Sequence, residues 1–323
     1  MEMRMLITTI AAVAVGTVVA TSAFAQGARD VPGAEHHIAK VGDIRFHYVT
    51  AGTGEPVLLL PGWPESWIAW RKVLPLLVNA GRRVIILDPR GFGESDKPAG
   101  GYDLDTAARD LHGFLQATDL AVAGGIDVVA HDVGTWIAHA HAANYPADVK
   151  RLVLSESNIL GVTAFAGGLP SEAAANLKSW QFALNRLNDL PEILTQGRER
   201  AYLAWIFATK STRHYAIDSA TLQEYTRQYS EPGAMRAGFA WYRENFSADG
   251  LAQAKTRASK RLTIPVLALG GSDGFGDALR ATVATIGDRV QGGPIDPDCG
   301  DFLLEEGPVE MTDTVLKFWQ STR

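Results

Sequence analysis

Cysteine is nearly absent from this chain. Cys299 is the only one in 323 residues, which excludes an intrachain disulfide and leaves a hydrophobic core as the source of stability. At 46% hydrophobic and 20% charged, the composition supplies such a core for one soluble globular unit. Surplus positive charge is lacking too. Lys and Arg number 30 against 36 Asp and Glu, a formal net charge of -6, so there is no basic footprint for nucleic acid. No block of like charges marks a disordered tail, and no internal repeat or low-complexity tract follows the N-terminus. Beyond residue 25 no stretch is apolar enough to cross a membrane. Histidine stops at His214, so the last third of the chain holds no imidazole.

What is present begins with a leader. Arg4 precedes an apolar run from Met5 to about Ala20, and Ala23-Phe24-Ala25 forms a small-x-small cleavage site before Gln26. About 16 apolar residues fall short of a bilayer span, so residues 1–25 read as a secretory signal peptide rather than an anchor. The mature chain is then expected in the periplasm or outside the cell, with no membrane association after cleavage. Cys299 would be buried and inert, the favoured reading, or paired between chains.

Downstream, Ile38–Val41 and Ile44–Thr50 flank Gly42-Asp43 and read as a β-hairpin. Short apolar runs then alternate with helical spacing. Val57–Leu60, Arg83–Leu87, Ile126–Ala130 and Arg151–Leu154 read as strands; Thr106–Ala117, capped by Asp105, and Gly134–Asn144 read as helices. Continuous apolar strands separated by helices argue a parallel sheet covered on both faces. From about Thr163 to Ser247 only helical spacing remains. Strand rhythm returns at Thr263–Leu269 and Arg289–Pro294, before a closing helix, Pro308–Thr322.

The chemistry centres on Ala130-His131-Asp132-Val133-Gly134, where a strand meets a helix. This small-x-nucleophile-x-small turn needs small neighbours and lifts one side chain above the sheet at a helix N-terminus, where the dipole stabilises negative charge. With aspartate at its centre, the expected chemistry is carboxylate attack on carbon, giving an alkyl-enzyme ester. An ordinary N-cap aspartate would fit the pentapeptide equally well. Context decides between them. Leu60-Pro61-Gly62-Trp63-Pro64 and Asp88-Pro89-Arg90-Gly91-Phe92-Gly93-Glu94-Ser95-Asp96 follow the two preceding apolar strands. In that order, the three motifs resemble the α/β-hydrolase superfamily. Asp132 after His131, with Gly62-Trp63-Pro64 and Trp67, is similar to its epoxide hydrolase branch, and the secreted Cif-like epoxide hydrolases are the nearest likeness across the chain.

That resemblance implies an α/β-hydrolase fold: a mostly parallel, doubly wound sheet with a helical lid inserted. The expected boundaries are core 34–162, lid 163–252 and core 253–323. It implies Asp132 as nucleophile and the backbone N–H groups of Trp63 and Val133 as the oxyanion hole. Pro61 stands where the family often has histidine. Tyr242, in Phe239-Ala240-Trp241-Tyr242-Arg243, would donate to the epoxide oxygen, and a phenol can then protonate the developing alkoxide. Gln181 falls at the second donor position, where its amide can donate but cannot protonate. His131 would support the substrate site. Glu156 is the preferred orienting acid, with Asp273 the alternative.

One departure matters more than the matches. The family places its catalytic histidine in a Gly-His-aromatic segment near the C-terminus; here that segment reads Cys299-Gly300-Asp301-Phe302. Slippage cannot rescue a histidine, because none follows His214. The same absence removes a decoy, Gly270-Gly271-Ser272-Asp273-Gly274, which fits a serine-nucleophile pattern but has no base downstream. A model aspartate has a pKa of about 3.9 and is a poor base at neutral pH. Asp301 also adds charge beside Asp132 and Glu156; two carboxylates about 5 Å apart repel by roughly 3 kcal/mol at an effective dielectric of about 20. Three readings follow. Asp132 is alkylated and ester hydrolysis is slow; or the scaffold binds a small molecule without chemistry; or the reaction is a dehalogenation, against which stands Val133 where such families carry Trp or Arg. No cofactor and no metal is implied, and the expected partner is a small-molecule substrate. His36 and His37 are expected to be solvated, and His139 and His141 do not share a helix face.

Overall fold

The computed structural model describes residues 28–118, 120, 123–163, 172–295 and 298–322. The proposed signal peptide lies outside the described residues. Short runs of Val, Ile and Leu, too apolar for any sheet with a wet face, build the centre: Val57 to Leu60, Val84 to Leu87 and Ile126 to His131 are all buried.

In chain order, β1 (Glu35–Val41) and β2 (Ile44–Ala51) form a hairpin paired Val41 to Ile44. Then come β3 (Glu55–Leu60), a 3-10 turn at Trp67–Arg71, α1 (Leu74–Asn79), β4 (Arg82–Leu87), α2 (Leu104–Ala117), β5 (Ile126–His131), α3 (Val133–Asn144) and β6 (Val149–Ser155). Six consecutive helices follow, with no strand between them among the described residues: α4 (Ala173–Leu184), α5 (Leu190–Thr195), α6 (Glu199–Lys210), α7 (Ser219–Tyr229), α8 (Ala234–Asn245) and α9 (Ala248–Ala258). The chain then returns to the sheet through β7 (Leu262–Gly271), α10 (Asp277–Ala284) and β8 (Gly287–Ile295), and closes with α11 (Leu303–Glu306) and α12 (Pro308–Ser321).

The eight strands lie in the order β1-β2-β4-β3-β5-β6-β7-β8. β2 runs antiparallel to both neighbours, and every pair from β4 to β8 is parallel. The crossing order puts β3 and β5 side by side, with β6 next to β5, so the loops leaving their carboxyl ends converge. Those loops carry Trp63, Asp132 and Glu156.

Three details differ from expectation. Helix α2 begins earlier than its apolar spacing implies, because Asp103 is its cap and accepts from Thr106 N–H at 2.9 Å. Asp105 sits inside the first turn, where its carboxylate binds Asn144 and Arg257. Helix α9 also runs unbroken across the expected boundary at residue 252. Nor are the N-terminal histidines simply solvated: His36 Nδ1 lies 2.9 Å from His47 Nε2, and His37 Nε2 lies 2.9 Å from Thr50 Oγ1. No helix among the described residues is long and apolar enough to cross a membrane.

Candidate active site

The turn between β5 and α3 is the strained point around which the site is built. Asp132 adopts φ 46, ψ -118, a conformation that L-residues keep only when the surroundings enforce it. Its N–H donates to the Ser155 carbonyl at 3.0 Å, and Thr135 Oγ1 donates to that same carbonyl at 3.0 Å, tying the turn to β6. Small neighbours are obligatory here. A Cβ on Gly134 would lie 2.6 Å from the Leu60 carbonyl oxygen, and one on Gly62 would lie 2.5 Å from Asp132 Cβ. The loop from β3 therefore passes directly over Asp132.

That close passage brings Trp63 N–H to 2.8 Å from Asp132 Oδ1. Val133 N–H, at the start of α3, also donates to this carboxyl. Burial drives the Asp132 pKa up to about 6; the two N–H donors and Lys210 pull it down, and Asp301 pushes it up further. The third motif supports this floor from beneath. Asp88 accepts from Trp67 N–H at 2.7 Å and from Glu94 N–H at 3.2 Å, holding together the loops after β3 and β4.

A cavity of about 900 Å³ opens between the carboxyl ends of the strands and helices α4, α6, α8 and α9. It is lined by Asp132, Glu156, Gln181, Tyr242 and Asp301 from the sequence-derived set, together with Trp63 and His131. Tyr242, from α8, is 1% exposed, with its ring packed edge-on to Trp63 and Trp136 at 5.5 Å each. Burial, then the nearby Asp132 carboxyl, hold its phenol well above the usual range, so it is a neutral donor. Gln181, from α4, is buried, and its Oε1 makes no hydrogen bond with the described residues. His131 faces backwards: Nε2 is 3.5 Å from Glu65 Oε2 and Nδ1 is 3.4 Å from Ser155 Oγ. Burial lowers its pKa to about 4, so it is neutral.

The two acid candidates separate. Glu156 is buried at φ 42, and its carboxyl accepts from Gly271 N–H and from Phe275 N–H, the latter at 3.0 Å. Burial, and then Asp301, push its pKa well up. Asp273 is exposed, accepts from Thr212 Oγ1 at 3.0 Å and is not among the cavity residues. Asp301 does stand beside Asp132 and Glu156, but its carboxylate is engaged elsewhere: Lys210 Nζ donates to Oδ2 at 2.7 Å. Neither Lys210 nor Glu65 was singled out from the sequence. Lys210 has no motif around it and reads as a cation complementing a helix C-terminus. Glu65 did leave a signal, a lone carboxylate inside the apolar stretch from Val57 to Trp70, and it is fully buried with its pKa pushed well up by burial.

Cys299 is buried, and burial pushes its thiol up to about 11. Among the described residues no group of three or more His, Cys, Asp or Glu is arranged to hold a metal ion.

Known proteins share this fold. The profile of the alpha/beta hydrolase fold matches residues 55–308. A soluble epoxide hydrolase from Corynebacterium sp. (strain C12) is 34% identical over 290 residues, covering 89% of this chain and 98% of that one. Among solved structures, Cfl2 from Burkholderia cenocepacia superposes with a TM-score of 0.84 at 35% identity, covering 91% of this chain and 97% of the other. The epoxide hydrolase CorEH superposes with a TM-score of 0.80 at 33% identity, covering 90% and 100%.

Proposed function

The chain belongs to the α/β hydrolase fold family, and from that membership we propose that it is an epoxide-hydrolase-like enzyme working through Asp132 on a small-molecule epoxide. The observation that carries the proposal is the 2.8 Å hydrogen bond from Trp63 N–H to Asp132 Oδ1. That donor favours the ionised, attacking form of the carboxyl, and it is placed to hold the oxyanion when the carboxyl carbon becomes tetrahedral.

In the first half-reaction, the Asp132 oxygen not held by Trp63 attacks an epoxide carbon; a C–O bond forms as the ring C–O bond breaks. The leaving oxygen takes the proton of the Tyr242 phenol, and a hydroxyalkyl ester results. In the second half, water attacks Asp132 Cγ, and charge gathers on Oδ1 beside the Trp63 and Val133 N–H groups. Collapse breaks the Cγ–Oδ2 bond; the diol leaves with one proton of the water, and the other returns to the Tyr242 phenolate. The attacking water must lose a proton, and this step is the weak one. Asp301 occupies the base position with a carboxylate already paired to Lys210, so ester hydrolysis is slow relative to alkylation. Helices α4 to α9 serve as the lid over the cavity, and residues 1–25 export the protein from the cytoplasm.

Turnover tests the proposal. Diol formation from a panel of small epoxides should be low for the native chain, absent in Asp132→Asn, and raised in Asp301→His by a large part of the roughly 10²–10⁴-fold that a general base is worth. An Asp301→His variant that hydrolyses no epoxide faster refutes the assigned base position. The engagement of Asp301 by Lys210 also suits a binding protein on a hydrolase scaffold; ligand affinity unchanged by Asp132→Asn, with no diol in any variant, would establish that reading instead.

A further inference from the structure

Helix α6 ends against the cavity wall, and its last residue is anchored more firmly than a helix-terminal lysine needs to be. The Lys210 ammonium donates to Asp301 Oδ2 at 2.7 Å and to the Lys178 carbonyl at 3.3 Å. The backbones are joined as well, Asp301 N–H donating to the Lys210 carbonyl at 3.0 Å. The Lys210 side chain is 11% exposed against 32% for Asp301, so its stem is packed and its head reaches the cavity. Glu306 fixes the two segments in register. Its Oε1 accepts from Gly300 and Phe302 N–H, on either side of Asp301, at 3.2 Å each. Its Oε2 accepts from Thr212 and Arg213 N–H, just beyond Lys210, at 2.8 and 2.7 Å.

The charges around the cavity show what this anchoring does. Asp132, Glu156 and Asp301 face a common space, and Lys210 is the cation whose field favours the ionised form of both Asp132 and Glu156. Glu65 adds a carboxyl behind Asp132, and burial, then the nearby Glu305 and Asp132, favour its neutral form. His131 is neutral, and the phenols of Tyr229 and Tyr242 stay protonated. Lys178 is turned away, its ammonium on the Asp273 carbonyl at 2.6 Å, and the third cavity cation, Arg186, lies over the Phe246 ring at 5.7 Å. Glu156 is served by the Gly271 and Phe275 N–H groups. Lys210 is thus left to balance Asp301.

We propose that Lys210 is the positioning residue of this site: its ammonium pins Asp301 and offsets the charge that Asp301 adds beside Asp132, so that the nucleophile can ionise next to a further carboxylate. The proposal rests on the reading of Asp132 as nucleophile, but its test reads the carboxyl itself and needs no substrate. The full mature chain is labelled with aspartate carrying 13C at the carboxyl, and the Asp132 and Asp301 resonances are assigned by their loss in Asp132→Asn and Asp301→Asn. In a pH titration, Lys210→Met should move the Asp132 midpoint upward by about one unit. Lys210→Arg should hold it near the native value, and Lys210→Met combined with Asp301→Asn should bring it back. Asp301→Asn alone, which leaves the ammonium unopposed, should move it down. This last variant keeps the test decisive if Lys210→Met does not fold. An Asp132 midpoint unmoved by Lys210→Met or by Asp301→Asn overturns the proposal, as does a double variant shifted as far as the single. If the midpoints move as stated and no epoxide ever labels Asp132, the electrostatic role stands and the epoxide hydrolase reading falls.

Discussion

Replacing Asp132 by Asn should stabilise the protein at neutral pH. Burial lifts the Asp132 pKa from 3.8 to about 6, so the folded protein binds this proton more tightly than the unfolded chain does. Such a group favours folding at low pH, and that contribution is lost as pH rises through about 6. Above both values, keeping Asp132 ionised in the folded state costs about 3 kcal/mol, from roughly 1.4 kcal/mol per pKa unit. Asn keeps the shape and the Oδ1 acceptor for Trp63 N–H, and it has no charge to bury. The 3 kcal/mol is an upper bound, since the carboxylate faces the cavity rather than packed core. At about 2 cal/mol/K per residue the entropy of unfolding a chain of this size converts it into a gain of up to about 5 °C in Tm. The assay is thermal unfolding of native and Asp132→Asn protein from about pH 4 to about pH 8. The gap should be widest at the alkaline end and narrow towards about pH 4, where the folded state holds the proton and the unfolded chain is about half protonated. A gap independent of pH, or a native protein more stable than the variant near pH 8, refutes the argument that Asp132 carries a buried charge in a site built for reactivity.

The remaining predictions concern the chemistry. The rate of Asp132 alkylation by an epoxide should fall to half near pH 6 on the acid side, because the attacking form is the carboxylate; a rate flat down to about pH 4 would show a nucleophile with an ordinary carboxylate pKa. Tyr242→Phe should slow alkylation by roughly 10²–10⁴-fold, while the buried ring keeps its packing; alkylation at the native rate would remove Tyr242 from the ring-opening step. Gly62→Ala places a Cβ where Asp132 Cβ lies only 2.5 Å away, so the loop after β3 must retreat, and alkylation should fall together with stability by about 1–3 kcal/mol. Native activity in that variant would show that the loop need not pass over the nucleophile.

The sequence exposed most of the frame because the frame is made by local rules. Apolar runs of Val, Ile and Leu alternating with helical spacing argued a sheet buried on both faces, and the small residues around Asp132 marked a sharp turn once the two motifs before it were read with them. Element ends were less legible. Asp103 and Asp105 are both acceptable caps by composition, and only the bond to Thr106 N–H distinguishes them. Among the site residues, those lying in motifs on the loops after β3, β5 and β6 could be named in advance, since the strand order brings those loops together. Lys210 could not. Its partner lies 91 residues away, and no local pattern reports a contact between a helix end in an insertion and a loop after the last strand. Only the family resemblance favoured Glu156 over Asp273 in the sequence; in the fold Glu156 is buried and Asp273 exposed.

Intact-protein mass spectrometry of the chain lacking residues 1–25 after exposure to small epoxides tests the central claim most directly. The account predicts a single adduct equal in mass to the epoxide, located on Asp132 by peptide mapping, accumulating faster than it is lost and absent from Asp132→Asn. No adduct from any epoxide, with no diol formed, or an adduct that persists in Asp132→Asn, would contradict it.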